Sequence, residues 1–362
     1  MAARPLVMVG ISGGVDSAVA ALLLREAGHE VQGLHMTNWE VDDAYCTAAA
    51  DYQSARQVCA DLGIPLHRAN FSAAYRDQVF SSFLAEYAAG RTPNPDVLCN
   101  REIKFGAFLE HARRLGAGMI ATGHYARGGA TSGGRLLLAR DTAKDQTYFL
   151  HAVEPSALAV TLFPLGDLTK EEVRSLANRA GLANFDRPDS TGICFIGERP
   201  FREFLSGYLS GTPGPILACE GEHLGEHSGL IHYTIGQRSG IGIGGRSSGG
   251  DAAWYVVAKD IARNALVVAQ GRGHPALWSR VLTTGPPHWL RAIPDPCSLR
   301  GLRARIRHRH APAACEITTA EDGSLRLLFA DSQWAVAPGQ YAVLYTDDEC
   351  VGGAVIETAA PV

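Results

Sequence analysis

The chain has 362 residues, 46% of them apolar and 19% charged, which excludes a disordered polymer and allows two or three domains with a substantial core. No apolar run approaches the ~20 residues needed to cross a bilayer, and the short apolar start runs into glycines as a buried strand would, not as a signal peptide; a cytoplasmic protein is expected. The net charge of -4 excludes a uniformly polyanion-coating protein, yet nine arginines and one acidic residue, Asp295, fall between Arg263 and His310, as a local docking face for a polyanion requires.

In chain order, Leu6–Gly10 predicts a buried strand and Val15–Ala27 a helix stopped by Gly28. Val31–His35, Ile64–Arg68 and Met119–Thr122 predict strands; Ala50–Leu62, Ala73–Ala89 and Glu102–Leu115 predict helices. This alternation predicts an α/β class with a doubly wound parallel sheet. Residues 167–181 predict a further helix, capped by Asp167 or Thr169. From about Gly207 glycine and proline become dense, and 207–280 reads as a small, linker-like central domain. Beyond it, Leu302–His308, Ser324–Ala330, Gln340–Thr346 and Val351–Glu357 predict short strands of an antiparallel barrel or sandwich. The expected division is 1–206, 207–280 and 281–362.

The run Gly10, Ile11, Ser12, Gly13, Gly14, Val15, Asp16, Ser17 closes the first strand and opens the first helix. Its glycines admit close backbone approach to a phosphate, and the free amides and positive end of the helix attract one. Ser12 and Ser17 add hydroxyl donors, and Asp16 fits beside a phosphate if it holds a metal ion or a capping bond. The run matches neither GxxxxGK[ST] nor GxGxxG, which excludes the kinase-type loop and the dinucleotide fingerprint.

The eight cysteines, at positions 46, 59, 99, 194, 219, 297, 315 and 350, include no CxxC pair, so no zinc knuckle and no metal site is expected. Cys99 ends a proline-stiffened loop just ahead of the helix predicted over 102–115, where the dipole favours a thiolate; Asp96 lies three residues earlier, as a base or base-positioner. Cys194 stands in Asp189-Ser-Thr-Gly-Ile-Cys-Phe195, which reads as a mobile loop. By spacing alone these are two buried cysteines or a carrier and its resolver. Arg303, Arg305, Arg307 and Arg309 alternate with Ala304, Ile306 and His308, which on a strand lines four guanidinium groups along ~20 Å of one face. That face is either a phosphate-docking row or a solvated face beside acidic neighbours.

The phosphate run resembles the PP-loop ATP pyrophosphatase superfamily. TPNPDVLCNREIKFG (92–106), ATGHYAR (121–127), AKDQTYFL (143–150), DSTGICFIGER (189–199) and GLIHYTIGQRSGIGIGG (229–245) together resemble the tRNA-specific 2-thiouridylase family. The resemblance implies that residues 10–17, with Met36 and Gly123, hold ATP together with Mg2+. It implies that Asn94, Pro95 and Asp96 meet the target base, and that Lys144, Asp145, Gln146, Arg307 and His308 contact tRNA at its anticodon stem-loop. Cys194 then carries a persulfide received from a sulfur-relay protein or cysteine desulfurase. Cys99 helps release that sulfur and ends in a Cys99–Cys194 disulfide, with Asp96 as general base. Adenylation of the uridine C2 oxygen precedes sulfur attack, in a monomer. Family members commonly carry Arg-Tyr where this chain has Arg307-His308, a weaker stacking partner. The rivals are another PP-loop adenylating enzyme or amidating ligase, a non-catalytic RNA-binding redox protein, and an iron–sulfur site on Cys99, Cys194 and Asp96.

Overall fold

The structure is a computed structural model that describes residues 5–39, 48–188, 200–243, 252–292 and 299–361. The first strand, β1 (Val7–Gly10), is buried along its whole length, as its unbroken apolar run requires. It pairs in parallel with β2 (Val31–Thr37) on one side and with β4 (Met119–Ala121) on the other. Strand β3 (Leu66–Asn70) lies outside β2, and Thr161–Leu162 lies outside β4, all parallel. Successive side chains of β1 face opposite ways: Val7 and Val9 pack with helices α1 (Val15–Glu26) and α2 (Ala48–Asp61), Met8 with Phe105, Phe108 and Ile120. Both faces are covered, so the expected doubly wound α/β sheet is present. Strand order reverses beside β1, which opens a crevice at the carboxyl ends of β1, β2 and β4.

The helix expected over Ala73–Ala89 is present to within one residue at each end, whereas that expected over Glu102–Leu115 starts earlier. Residues 72–88 run as Ser72–Tyr75, a π-helical stretch Arg76–Phe80 and Ser81–Ala88. Residues 95–114 are likewise helical throughout, as Pro95–Leu98, a π-helical stretch Cys99–Ala107 and Phe108–Arg114. The second therefore begins seven residues before the expected Glu102. Asn94 accepts from Asp96 N at 3.2 Å and Pro95 fills the first helical position, a start signal that the prolines masked as loop.

The central region is more than a linker. Strands Trp254–Asp260, Ala265–Gln270, Gly214–Ala218 and His223–His227 form one sheet over a core that includes Ile216, Leu224, Tyr233, Val256 and Leu266. Its strands are short and lie between glycines, so composition outweighed the apolar alternation. At the C-terminal end, strands Trp278–Thr284, Leu325–Trp334, Ala313–Thr319, Arg303–Arg305, Tyr341–Thr346 and Glu349–Pro361 pair antiparallel in that order. The last also pairs with the first, closing a six-stranded barrel. A hairpin of the first region, Arg127–Gly129 with Arg135–Leu137, adds to that barrel through Leu137 opposite Glu349 and Leu136 opposite Cys350. One sheet thus runs from the nucleotide-type fold into the barrel.

Candidate active site

The phosphate loop is pinned from outside. Gly13 has φ +89, and a Cβ there would stand 2.6 Å from the Asp51 carbonyl. Its own carbonyl accepts from Ser54 Oγ at 2.7 Å, Asn184 Nδ2 at 2.9 Å and Arg187 Nη1 at 3.2 Å. Inside the turn, Ser17 Oγ donates to Gly14 O at 3.0 Å and accepts from Ser12 N at 3.2 Å. Gly14 caps α1 without a side-chain bond, although its own amide donates to Ser12 Oγ at 3.3 Å, so no N-cap side chain takes the first-turn amides. Met36 and Gly123 flank this turn from β2 and from the end of β4. A Cβ on Gly10 would meet Met36 Cε at 3.4 Å, and one on Gly123 would stand 2.8 Å from Ser17 N and from Asp16 C.

Asp16 makes no capping bond. Its carboxylate accepts from Lys170 Nζ at 2.7 and 2.9 Å and from Tyr125 Oη at 2.9 Å. Lys170 opens the helix Lys170–Arg179, which Thr169 and Glu172 cap as a reciprocal box. A lysine in a first helical turn opposes the dipole, and the Asp16 carboxylate offsets that cost. Sequence reading passed over Lys170, although lysine is scarce here, with four lysines to 29 arginines.

Asp96 lies in the first turn of the helix that starts at Pro95, half-buried. Burial raises its carboxyl pKa, against the opposing pull of Lys104 and His308. His124 is held neutral: burial, then the Lys104 charge, pushes its pKa well down, and its Nδ1 lies 2.9 Å from Thr122 Oγ1. Cys99 is 2% exposed, packed among Tyr75, Phe80, Phe83 and Ile103. It sits one turn inside the helix, so the N-terminal dipole that sequence reading gave to Cys99 falls on Asp96 instead. Cys194 and the rest of 189–199 lie outside the described residues, and with them the partner of the expected disulfide.

The expected tRNA-contacting segments 144–146 and 307–308 do meet. His308 Nε2 lies 2.9 Å from Asp145 O, and its ring centroid is 4.4 Å from that of Phe149. Their side chains, however, are largely spent inward. Asp145 is 2% exposed and accepts from Ala139 N, Thr147 Oγ1 and Arg305 Nη1, the last at 2.9 Å. Gln146 exchanges two bonds of 2.9 Å with the backbone of Tyr125, whose hydroxyl reaches Asp16. Lys144 remains half-exposed on the turn.

The arginine row does not form. The strand ends at Arg305 and the chain turns, with His310 N donating to Arg307 O. Arg305 is buried against Asp145, Arg307 Nη2 donates to the carbonyls of Ile235 and Ala335, and Arg303 Nη2 donates to Pro312 O. Alternation in the sequence predicted one face, but the buried carboxylate and carbonyls claim separate arginines.

A phosphate loop at the switch point of a parallel sheet, joined to two β-structured regions, defines a nucleotide-binding α/β enzyme. The profile of the tRNA methyl transferase HUP domain matches residues 5–198, that of the tRNA methyl transferase PRC-barrel domain 202–270, and that of the aminomethyltransferase beta-barrel domain 279–356. The tRNA-specific 2-thiouridylase MnmA of Chromohalobacter salexigens is 54% identical over 355 residues, 97% of this chain and 92% of that protein. The same-named protein of Methylococcus capsulatus is 54% identical over 359 residues, 98% of this chain and 96% of that one. The chain belongs to the tRNA-specific 2-thiouridylase family.

Proposed function

We propose that this enzyme converts the wobble uridine, U34, of a tRNA to 2-thiouridine, consuming ATP and releasing AMP and pyrophosphate. The observation that carries the reading is the meeting of the phosphate loop, Gly123 and Met36 at the sheet's switch point, in a chain 54% identical to 2-thiouridylases over 97% of its length. The loop amides and Ser12, Ser17 bind the ATP phosphates. The uridine C2 oxygen attacks the α-phosphorus and pyrophosphate leaves, which turns a poor leaving group into AMP. Asp96 takes the ring N3 proton, a task helped by a carboxyl whose pKa burial has raised. Among the described residues no three metal-ligating side chains cluster, and Asp16, the carboxylate beside the loop, already takes the Lys170 ammonium and the Tyr125 hydroxyl; Asp16 would hold Mg2+ only by giving up part of that pairing, and the ion would supply neutralisation of phosphate charge.

Sulfur arrives as a persulfide on Cys194, supplied by a sulfur-relay protein or a cysteine desulfurase. Its outer sulfur, or sulfide freed from it by Cys99, attacks C2, and AMP departs. Attack of the Cys99 thiolate on Cys194 Sγ breaks the persulfide bond and leaves a Cys99–Cys194 disulfide for an external reductant to reopen. Lys144 and the His308–Phe149 stack meet the tRNA. Action as a cytoplasmic monomer belongs to the same proposal.

The test is mass spectrometry of tRNA nucleosides after incubation with ATP and a persulfide source, with pyrophosphate measured alongside. 2-Thiouridine is expected, lost in Cys99→Ala and in Cys194→Ala while ATP binding survives. Full activity of Cys194→Ser would favour an adenylating ligase instead, and tRNA binding without pyrophosphate release a non-catalytic protein.

A further inference from the structure

A cavity of about 200 Å3 lies between the three regions, lined by Gly90, Arg91 and Thr92, by Ile235 and Lys259, and by Pro338. Lys259, on the strand Trp254–Asp260, reaches across and donates from Nζ to Gly90 O at 3.0 Å. Gly90 follows the helix Ser81–Ala88 with φ +77, where a Cβ would strike Ile261 Cδ1 at 2.5 Å. The next residues are gripped from the barrel side: Thr92 N donates to Pro338 O at 2.9 Å, and Gln340 Nε2 donates to Thr92 O and Pro93 O. Thr92 Oγ1 also lies 3.3 Å from Thr234 Oγ1. The strap 90–93 runs straight into the Asn94 cap and Asp96, so its position sets where that carboxylate stands.

We propose that Lys259 is a modification site, acylated by a small acyl phosphate that enters this cavity, and that acylation loosens the strap and slows the enzyme. The Nζ lone pair attacks the acyl carbonyl carbon, the bond from that carbon to the phosphate oxygen breaks, inorganic phosphate leaves with its electron pair, and the surplus nitrogen proton passes to water. A charged donor to Gly90 O becomes a neutral, bulkier amide and the charge-assisted bond is lost. Burial lowers the Lys259 pKa to about 8. At pH 8 about half of its amine is then unprotonated, against about 0.4% for an ordinary lysine. Arg91, which lines the cavity and is bridged to Glu86, is the guanidinium that the donor's phosphate meets beside Lys259. Asp260, next along the strand, is taken by Arg263 at 3.7 Å.

The other three lysines, Lys104, Lys144 and Lys170, serve as internal standards in the whole chain. With acetyl phosphate at pH 8, peptide mass spectrometry is expected to find Lys259 acetylated at least about tenfold faster than Lys144, a lead that shrinks as the pH approaches the ordinary lysine range. Labelling no faster than at Lys144 overturns the proposal. Faster labelling from acetyl-coenzyme A than from acetyl phosphate overturns the choice of donor. The effect on turnover rests on the thiolation reading: Lys259→Gln is expected to lose about three- to tenfold in kcat with the KM for ATP unchanged, while Lys259→Arg restores kcat and resists labelling. Wild-type kcat in Lys259→Gln overturns the strap's role. Absence of thiolation in the unmodified enzyme would instead sink the functional reading and leave the labelling result standing.

Discussion

Lys170 grips both carboxylate oxygens of Asp16, at 2.7 and 2.9 Å, and so ties the first turn of one helix to the first turn of another 154 residues away. Lys170 is 12% exposed and Asp16 32%, so solvent screens the pair only in part. Lys170→Ala is expected to cost about 1–2 kcal/mol of stability. Its KM for ATP should rise about tenfold with tRNA affinity unchanged, since the phosphate loop loses the ammonium held at Asp16. Thermal scans and ATP titration check this, and an unchanged KM would count against a role for Lys170 at the loop.

Gly123→Ala tests close approach. The new methyl would overlap Asp16 and Ser17 backbone atoms at 2.8 Å, and backbone cannot rotate away as a side chain can. Overpacking of about 1–3 kcal/mol is expected, with ATP affinity down by at least about tenfold, measured by calorimetry. Normal affinity in this variant would place the nucleotide elsewhere.

Asp96 offers a sign test. Its folded pKa is raised by burial, so the folded chain holds this proton more tightly than the unfolded chain does. Ionising Asp96 therefore costs stability as pH rises from its unfolded pKa through its folded one, and that cost persists at neutral pH. Asp96→Asn is expected to abolish thiolation yet raise the neutral-pH melting temperature. The wild-type rate should fall as pH drops through a value above the ordinary carboxylate range. A variant both inactive and less stable would mark Asp96 as structural.

The pair Arg305–Asp145, 2.9 Å apart with side chains 8% and 1% exposed, joins the barrel to the 139–149 turn. Arg305→Met strands a buried carboxylate and is expected to cost about 3–5 kcal/mol. Asp145→Asn combined with Arg305→Met should recover most of that loss in a thermal scan. Additive losses would mean that the two residues act independently.

The sequence by itself determined what short-range physics sets: the buried run of β1, the glycine turn after it, a helix start at one of two caps, Asp167 or Thr169, of which the structure uses Thr169, and the alternation that makes a doubly wound sheet. It misplaced the helix start at Asn94 because prolines signal both loops and first turns. Tertiary structure alone decided which polar groups meet. Lys170 finds Asp16, Arg305 finds Asp145, and the alternating arginines disperse among separate acceptors instead of lining one face. Local pattern fixes backbone conformation, whereas a buried charge takes whichever partner the packed chain brings within hydrogen-bond reach, and no spacing along the sequence encodes that choice.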